Sequence, residues 1–263
     1  MSFRPKHERK AKPQGGKFHG KKGAPKKSGG GGSGTSWLIG RHAVEAVLAQ
    51  GKRDVLELLA TDQQAEWIEH YGFRPVILKK QEFDNKFEGR PHQGVAARVA
   101  PLPELFIEDV LESDVLLVLD QVTDPHNLGA CLRSADAFGC GAVLVPSYNS
   151  AGVSDVVAKA ASGALETVPL VQAGNMNRAI EKLQKAGFWV VGLAGEATET
   201  LSEKRLTGKI ALVMGSEGEG IRDLVAKTCD DLAKIPMVGS VESLNVSVSS
   251  GIALYEVQRQ RSS

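Results

Sequence analysis

At 263 residues, of which 42% are hydrophobic, the chain is long enough to bury a sizeable core and suits one large or two smaller domains. No apolar run approaches the roughly 18 residues that a membrane helix needs, and the three cysteines, Cys131, Cys140 and Cys229, have neither disulfide-framework nor CxxC metal spacing, so they read as reduced thiols with no metal. The net charge of +1 conceals a division: residues 1–35 hold ten Lys and Arg against Glu8 alone, a net +9, leaving 22 basic and 30 acidic residues for the remainder.

Residues 1–35 also contain nine glycines and cannot bury enough surface to offset the entropy of ordering, so a disordered tail is expected in the absence of a partner. A cationic, aromatic-poor tail on an acidic body suggests a polyanionic partner. The tail lacks the apolar middle of a signal peptide, and its Gly and Pro content works against the amphipathic helix of a transit peptide, which points to the cytoplasm. Gly15 to Lys21 fits G-x-x-x-x-G-K, but Lys22 stands where Ser or Thr is required and no strand precedes it, so the match reads as chance in biased sequence.

From Trp37 to Val99 the pattern alternates: a helix over 41–49, a strand near 55–60, a helix over 63–71, and strands near 75–78 and 94–99. This predicts a small α/β domain over 36–100, followed by a Pro-rich and then acidic linker over 101–113. In 114–263, apolar strands are predicted at 115–119, 142–145, 167–170, 189–193, 210–214 and 233–236, separated by helical segments. Strands apolar on both faces belong in a buried parallel sheet joined by crossovers.

Three segments of this second region carry the chemistry. In LDQVTDPHNLGACLRSADAFG (119–139), Asp124-Pro125 makes a turn and Asn127 is placed to cap a helix beginning at Leu128. Arg133 lies six residues on, about 240° around the helix, so the two do not share a face. An arginine in a helix of small residues suits either a surface ion pair or bidentate phosphate contact. In LVMGSEGEGI (212–221), Gly215, Gly218 and Gly220 permit a backbone close to a ligand ahead of a helix at Ile221, while Glu217 equally suits the positive end of that helix. Neither the dinucleotide G-x-G-x-x-G nor the hydrolase G-x-S-x-G pattern is completed there. In IPMVGSVESLNVSVSSGIALYE (235–256), a strand closed by Pro236 and a Gly/Ser-rich turn lead through Ser243-Leu244-Asn245 into an apolar helix with Val248, Ile252 and Tyr255 at helical spacing. Ser243 and Asn245 are both capable caps, and one helix takes only one of them, leaving the other free to touch a ligand.

In order and spacing these three segments resemble the signature of the SpoU family, knotted methyltransferases that use S-adenosylmethionine to methylate the ribose 2′-oxygen of RNA. The GRHAVEAVL and HQGVAARV stretches of the first region resemble the accessory domain of the family's ribosomal-RNA branch. The resemblance implies a small N-terminal α/β substrate-binding domain and a C-terminal parallel-sheet SPOUT domain with a deep trefoil knot. It implies a catalytic set of Arg133, Asn127, Glu217, Ser243 and Asn245, with the cofactor held at Gly215, Ile235 and Leu244 beside the glycines Gly218 and Gly220. Ser249 stands where many relatives have alanine, a departure away from the ligand turn. The implied activity is that of the 23S ribosomal-RNA guanosine 2′-O-methyltransferase branch, acting as a homodimer on the peptidyl-transferase P loop. A transfer-RNA ribose methyltransferase and a non-catalytic ribosome-assembly protein are the alternatives; the accessory domain argues against the first and the intact motif residues against the second.

Overall fold

The structure, a computed structural model, describes residues 35–262. The readings of residues 1–34, the tail and its phosphate-loop match, lie outside the described residues.

The chain begins β1 (Ser36–Ile39), α1 (Arg41–Gln50), β2 (Val55–Ala60), α2 (Asp62–Glu69), β3 (Val76–Ile77), α3 (Lys80–Lys86) and β4 (Val95–Val99). These strands form a four-stranded sheet in the order β1-β4-β2-β3, with β4 antiparallel to β1 and β2, and β3 parallel to β2. The pleat sorts residues by period two. Leu58, Ala60, Val95, Ala97 and Val99 pack with Val44, Val47 and Leu48 of α1, while Leu59 and Ala96 face Phe83 and Phe87 on the other side. Two elements were not anticipated. The helix α3 has Phe83 as its one buried residue, too little for a periodic signal, and β1 is four residues long behind a Gly-rich run.

The second sheet is wholly parallel. It is built from β5 (Val115–Leu119), α4 (Pro125–Ala137), β6 (Ala142–Pro146), α5 (Asp155–Ala161), α6 (Ala164–Thr167), β7 (Leu170–Ala173), α7 (Met176–Lys185), β8 (Trp189–Leu193), β9 (Ile210–Met214), α8 (Asp223–Thr228), β10 (Asp231–Ala233) and α9 (Val246–Arg261). The strand order is β10-β8-β9-β5-β6-β7. Every residue of β5, β6 and β9 is buried, as expected of strands covered on both faces. Leu117, Leu119, Val143 and Leu212 join the core beneath α4 and α9, and Leu116, Val118, Leu144 and Val213 join the core beneath α7. Each fully buried Leu or Val contributes about 1.5–3 kcal/mol relative to exposure.

Several sequence expectations shift. The strand predicted at 167–170 starts at Leu170, because Thr167 closes α6 and Pro169 intervenes. The strand predicted at 233–236 ends at Ala233, so Pro236 lies beyond it. The helix expected at Ile221 begins at Asp223. On α9 the buried side is Val246, Ser250, Ala253, Leu254 and Val257. The stripe singled out in the sequence, Val248, Ile252 and Tyr255, is the exposed one.

The two sheets are packed together within one compact unit among the described residues. The guanidinium of Arg53, in the loop before β2, donates from Nε to Glu166 Oε2 at 3.1 Å, from Nη2 to Glu166 Oε1, and from Nη1 to the Ala100 carbonyl at 3.1 Å. Both side chains are almost wholly buried, 4% and 2% exposed. At Gly163, the residue before α6, a Cβ would stand 2.8 Å from that of Ala46, so glycine lets α1 approach α6 closely. Cys131 and Cys140 are buried and Cys229 half-buried, all as free thiols. Burial pushes the Cys131 thiol up to about 11 and those of Cys140 and Cys229 up to about 12.

Candidate active site

From β5 the chain leaves through α4 toward β6, whereas from its neighbour β9 it leaves through α8 toward β10 at the far edge. Connections diverging from adjacent parallel strands open a crevice at their carboxyl ends, where ligands of open α/β sheets bind. The first and second motifs begin at those two strand ends.

Asn127 does not cap α4. Asp124 does, its Oδ1 accepting from His126 N at 2.8 Å with Pro125 in the first helical turn. Asn127 is thereby free for a longer-range contact: its Nδ2 donates to Glu217 Oε1 at 2.9 Å, and its Oδ1 accepts from Asn245 Nδ2 at 3.0 Å. Asn245 Nδ2 also donates to Glu217 Oε1. Asn245 meanwhile caps α9, its Oδ1 accepting from Ser247 N at 2.9 Å. Capping and site contact are therefore compatible in one residue, while Ser243, which does not cap, is left free as expected. The helix cap turns the Asn245 amide nitrogen toward the acceptor-only carboxylate. One ring of hydrogen bonds thus joins all three motifs, and Glu217 Oε2 keeps no hydrogen-bond partner among the described residues.

The second motif folds back on itself. Ser216 N donates to Gly220 O at 3.0 Å and Gly220 N to Ser216 O at 3.1 Å. A Cβ on Gly215 would lie 1.9 Å from the Gly220 carbonyl carbon, so this glycine is required by the loop's own packing. Gly218 and Gly220 have φ of 85° and 70°, and a Cβ on either would meet nothing within 4 Å. Their surroundings are open, as a ligand cradle requires. Ile235 and Leu244 are half-buried in the irregular segment between β10 and α9, and their backbone groups have no hydrogen-bond partners among the described residues. Backbone groups left in that state are ready to bind a ligand.

Ser243 and Arg133 are exposed and outside the ring. Neither side chain makes a hydrogen bond or ion pair among the described residues. Arg133 precedes Ser134, which with Phe138, Val248, Gly251, Ile252 and Tyr255 lines an apolar groove between α4 and α9. Among the described residues no group of three His, Cys, Asp or Glu is placed to hold a metal, and no helix is long and apolar enough to cross a membrane.

One pair was missed in the sequence. Asp120, fully buried at the end of β5, accepts from Arg222 Nε at 3.0 Å, from Nη2 at 2.6 Å and from the Arg222 backbone N at 3.2 Å. These hydrogen bonds raise the Arg222 pKa further above its ordinary value. The available signal was the ionisable residue ending the apolar run LLVLD, since a buried carboxylate needs a partner. The pair ties the end of β5 to the start of α8.

The sequence pattern of the SpoU rRNA Methylase family matches residues 114–255, and that of RNA 2'-O ribose methyltransferase substrate binding matches residues 37–105. The chain is 46% identical over 239 residues to the 23S rRNA (guanosine-2'-O-)-methyltransferase RlmB of Vibrio vulnificus, covering 86% of this chain and 97% of that protein. It is 49% identical over 224 residues to the Vibrio cholerae protein of the same name, covering 83% and 89%. In three dimensions it resembles the SpoU methyltransferase AviRb of Streptomyces viridochromogenes, solved in complex with AdoMet, with a TM-score of 0.74 at 24% identity over 88% of this chain and 91% of that one.

Proposed function

Since this chain belongs to the SpoU rRNA methylase family, we propose that it methylates the ribose 2′-oxygen of a guanosine in 23S ribosomal RNA, in the peptidyl-transferase P loop, with S-adenosylmethionine as methyl donor. The observation that carries this reading is the ring of Asn127, Glu217 and Asn245 at the carboxyl ends of β5 and β9. Without it, three motifs would remain three loops.

The bound cofactor supplies an electrophilic methyl group on a sulfonium. The loop of Gly215, Gly218 and Gly220 and the backbones of Ile235 and Leu244 are the groups suited to holding it, since Gly218 and Gly220 face open space and the Ile235 and Leu244 backbones are unpaired among the described residues. In-line displacement requires the ribose oxygen roughly 3 to 3.5 Å from the methyl carbon and relieved of its proton. The ring holds Asn127 and Asn245 rigid at the rim of the crevice, and Glu217 Oε2 and the Ser243 hydroxyl are left to position the ribose. Two roles suit Arg133: accepting the hydroxyl proton with the substrate phosphate as helper, or orienting that phosphate with its planar fork and stabilising the developing alkoxide, which needs no unusual pKa.

The working unit is a homodimer. The exposed stripe of Val248, Ile252 and Tyr255 supports this, because a groove of that kind between α4 and α9 suits burial against a second copy. In such a dimer the active site can borrow residues across the interface. The segment between β10 and α9 is threaded as a deep trefoil knot; the return of α9 to pack against α4 and β9, beside the second motif, supports that reading. Residues 36–100 hold the RNA, residues 101–113 connect, residues 114–263 perform the transfer, and the reaction takes place in the cytoplasm.

The test is a map of 2′-O-methyl sites in 23S ribosomal RNA from a strain lacking the protein. One guanosine mark should disappear, return with the wild-type gene and stay absent with Arg133→Ala. An unchanged map refutes the reading.

A further inference from the structure

A second cleft lies at the carboxyl ends of β5, β6 and β7 and is lined in part by Arg222, the partner of the buried Asp120. Its volume is about 310 Å³, at the small end of ligand pockets. Four carboxamides line it, Gln121, Asn149, Asn175 and Asn177, together with Tyr148, Arg222 and four apolar or glycine residues. No carboxylate lines it. Asp120 engages Nε and Nη2 of Arg222, which fixes the guanidinium plane and leaves Nη1 without a partner among the described residues. Asn175 caps α7 through Oδ1, accepting from Arg178 N at 3.0 Å, so its Nδ2 is available. The Oδ1 of Asn177 is buried and has no donor among the described residues, a cost that a ligand donor would remove. Tyr148 is 81% exposed. Gln121 and Asn149 hold φ of 60° and 55°, and a left-handed backbone at a residue other than glycine is retained where the site needs it.

We propose that this cleft takes one nucleotide of the substrate RNA, with its phosphate on Arg222 and the free N–H groups of the first turn of α7, its base against Tyr148, and its base edge read by the carboxamides. The chemistry fits no simpler ligand as well. An oriented guanidinium and helix N–H groups select an anion, neutral amides pair with base edges, and an exposed aromatic ring beside them serves stacking. The inference deepens the proposed function and rests on RNA being the substrate. It assigns target selection partly to the catalytic half of the chain, through residues separate from the methyl-transfer ring.

The test uses the full-length protein and a fluorescein-labelled 23S ribosomal-RNA fragment containing the methylated guanosine. Fluorescence anisotropy gives the affinity, and a methyl-incorporation assay gives kcat and KM. Tyr148→Ala should weaken binding and raise KM roughly 5- to 100-fold, the range expected for losing one stacked base, with S-adenosylmethionine affinity unchanged by calorimetry. Tyr148→Phe should restore binding to within about twofold, since stacking does not need the hydroxyl. Asn177→Ala should move affinity in the same direction. Arg222→Lys, which keeps a cation beside Asp120, should weaken binding while the protein stays folded. Unchanged affinity in both Tyr148→Ala and Asn177→Ala overturns the pocket, whatever the turnover. Lost affinity in those variants, with no methyl transfer by the wild type, upholds the pocket and overturns the functional reading. A wild-type protein that does not bind the fragment overturns both.

Discussion

Asn127 Nδ2 donates to Glu217 Oε1 at 2.9 Å across ninety positions of sequence. The bond joins the first turn of α4 to the loop after β9, so the two strand ends that bound the crevice are fixed to each other by side chains as well as by the sheet. Asn245 closes the same ring while it caps α9. A displacement of any one of the three is therefore felt by the other two.

Asn127→Ala should lower methyl transfer by about 10²-fold, the scale expected when positioning groups shift by an ångström. Thermal stability should change by less than about 1 kcal/mol, because the cap of α4 is Asp124 and the lost bonds are at the surface. Differential scanning calorimetry alongside a single-turnover assay separates the two effects. A large fall in stability with normal turnover would make the ring a structural brace only.

Arg133→Ala should abolish turnover and leave S-adenosylmethionine affinity within a few-fold, as the open loop and unpaired backbone lie elsewhere. Arg133→Lys should rescue little, since a point charge does not reproduce the guanidinium fork. Near-normal turnover in the alanine variant would remove Arg133 from the chemistry.

Two glycines of one loop should respond differently. Gly215→Ala places a Cβ inside the Gly220 backbone and should unfold the loop, reducing both stability and cofactor binding. Gly218→Val faces open space but must hold φ near 85°. It should cost about 1–2 kcal/mol of stability and lose cofactor affinity by more. Calorimetric titration that shows unimpaired binding by Gly218→Val would argue against a ligand on that side.

Glu166→Ala should destabilise the protein by about 3–5 kcal/mol, because it leaves the Arg53 guanidinium buried with only the Ala100 carbonyl for company. Urea denaturation measures this, and a loss below 1 kcal/mol would mean that water replaces the carboxylate. RNA methylation should suffer at temperatures where the native state persists, if the docking of the two sheets aligns substrate with crevice.

Removing residues 1–35 deletes a net +9. RNA binding by the full-length protein should fall more steeply with salt than binding by the shortened one, by roughly 0.7 to 0.9 in slope per phosphate neutralised. Saturating turnover and the methylated nucleotide should be the same in both. Equal salt slopes would reduce the tail to a solubility extension.

Much of this protein is determined locally, and that part can be read from the chain alone. The runs 115–119, 189–193 and 210–214 are strands at those same boundaries because five consecutive apolar residues between breakers have no other comfortable state inside a parallel sheet. The glycines of the second motif announce a tight turn because φ near 70–85° is costly for other residues. What the tertiary structure alone decided is who meets whom. Asn127 satisfied every local rule for a cap, yet Asp124 took the cap and released Asn127 to Glu217. The stripe of Val248, Ile252 and Tyr255 has helical spacing, but only the position of α4 shows that the opposite face of α9 is the buried one. Asp120 with Arg222, and Arg53 with Glu166, are pairs separated by 102 and 113 residues. Local propensity reaches a few residues along the chain, whereas a buried charge is satisfied by whatever the packing of sheets and helices brings within 3 Å of it.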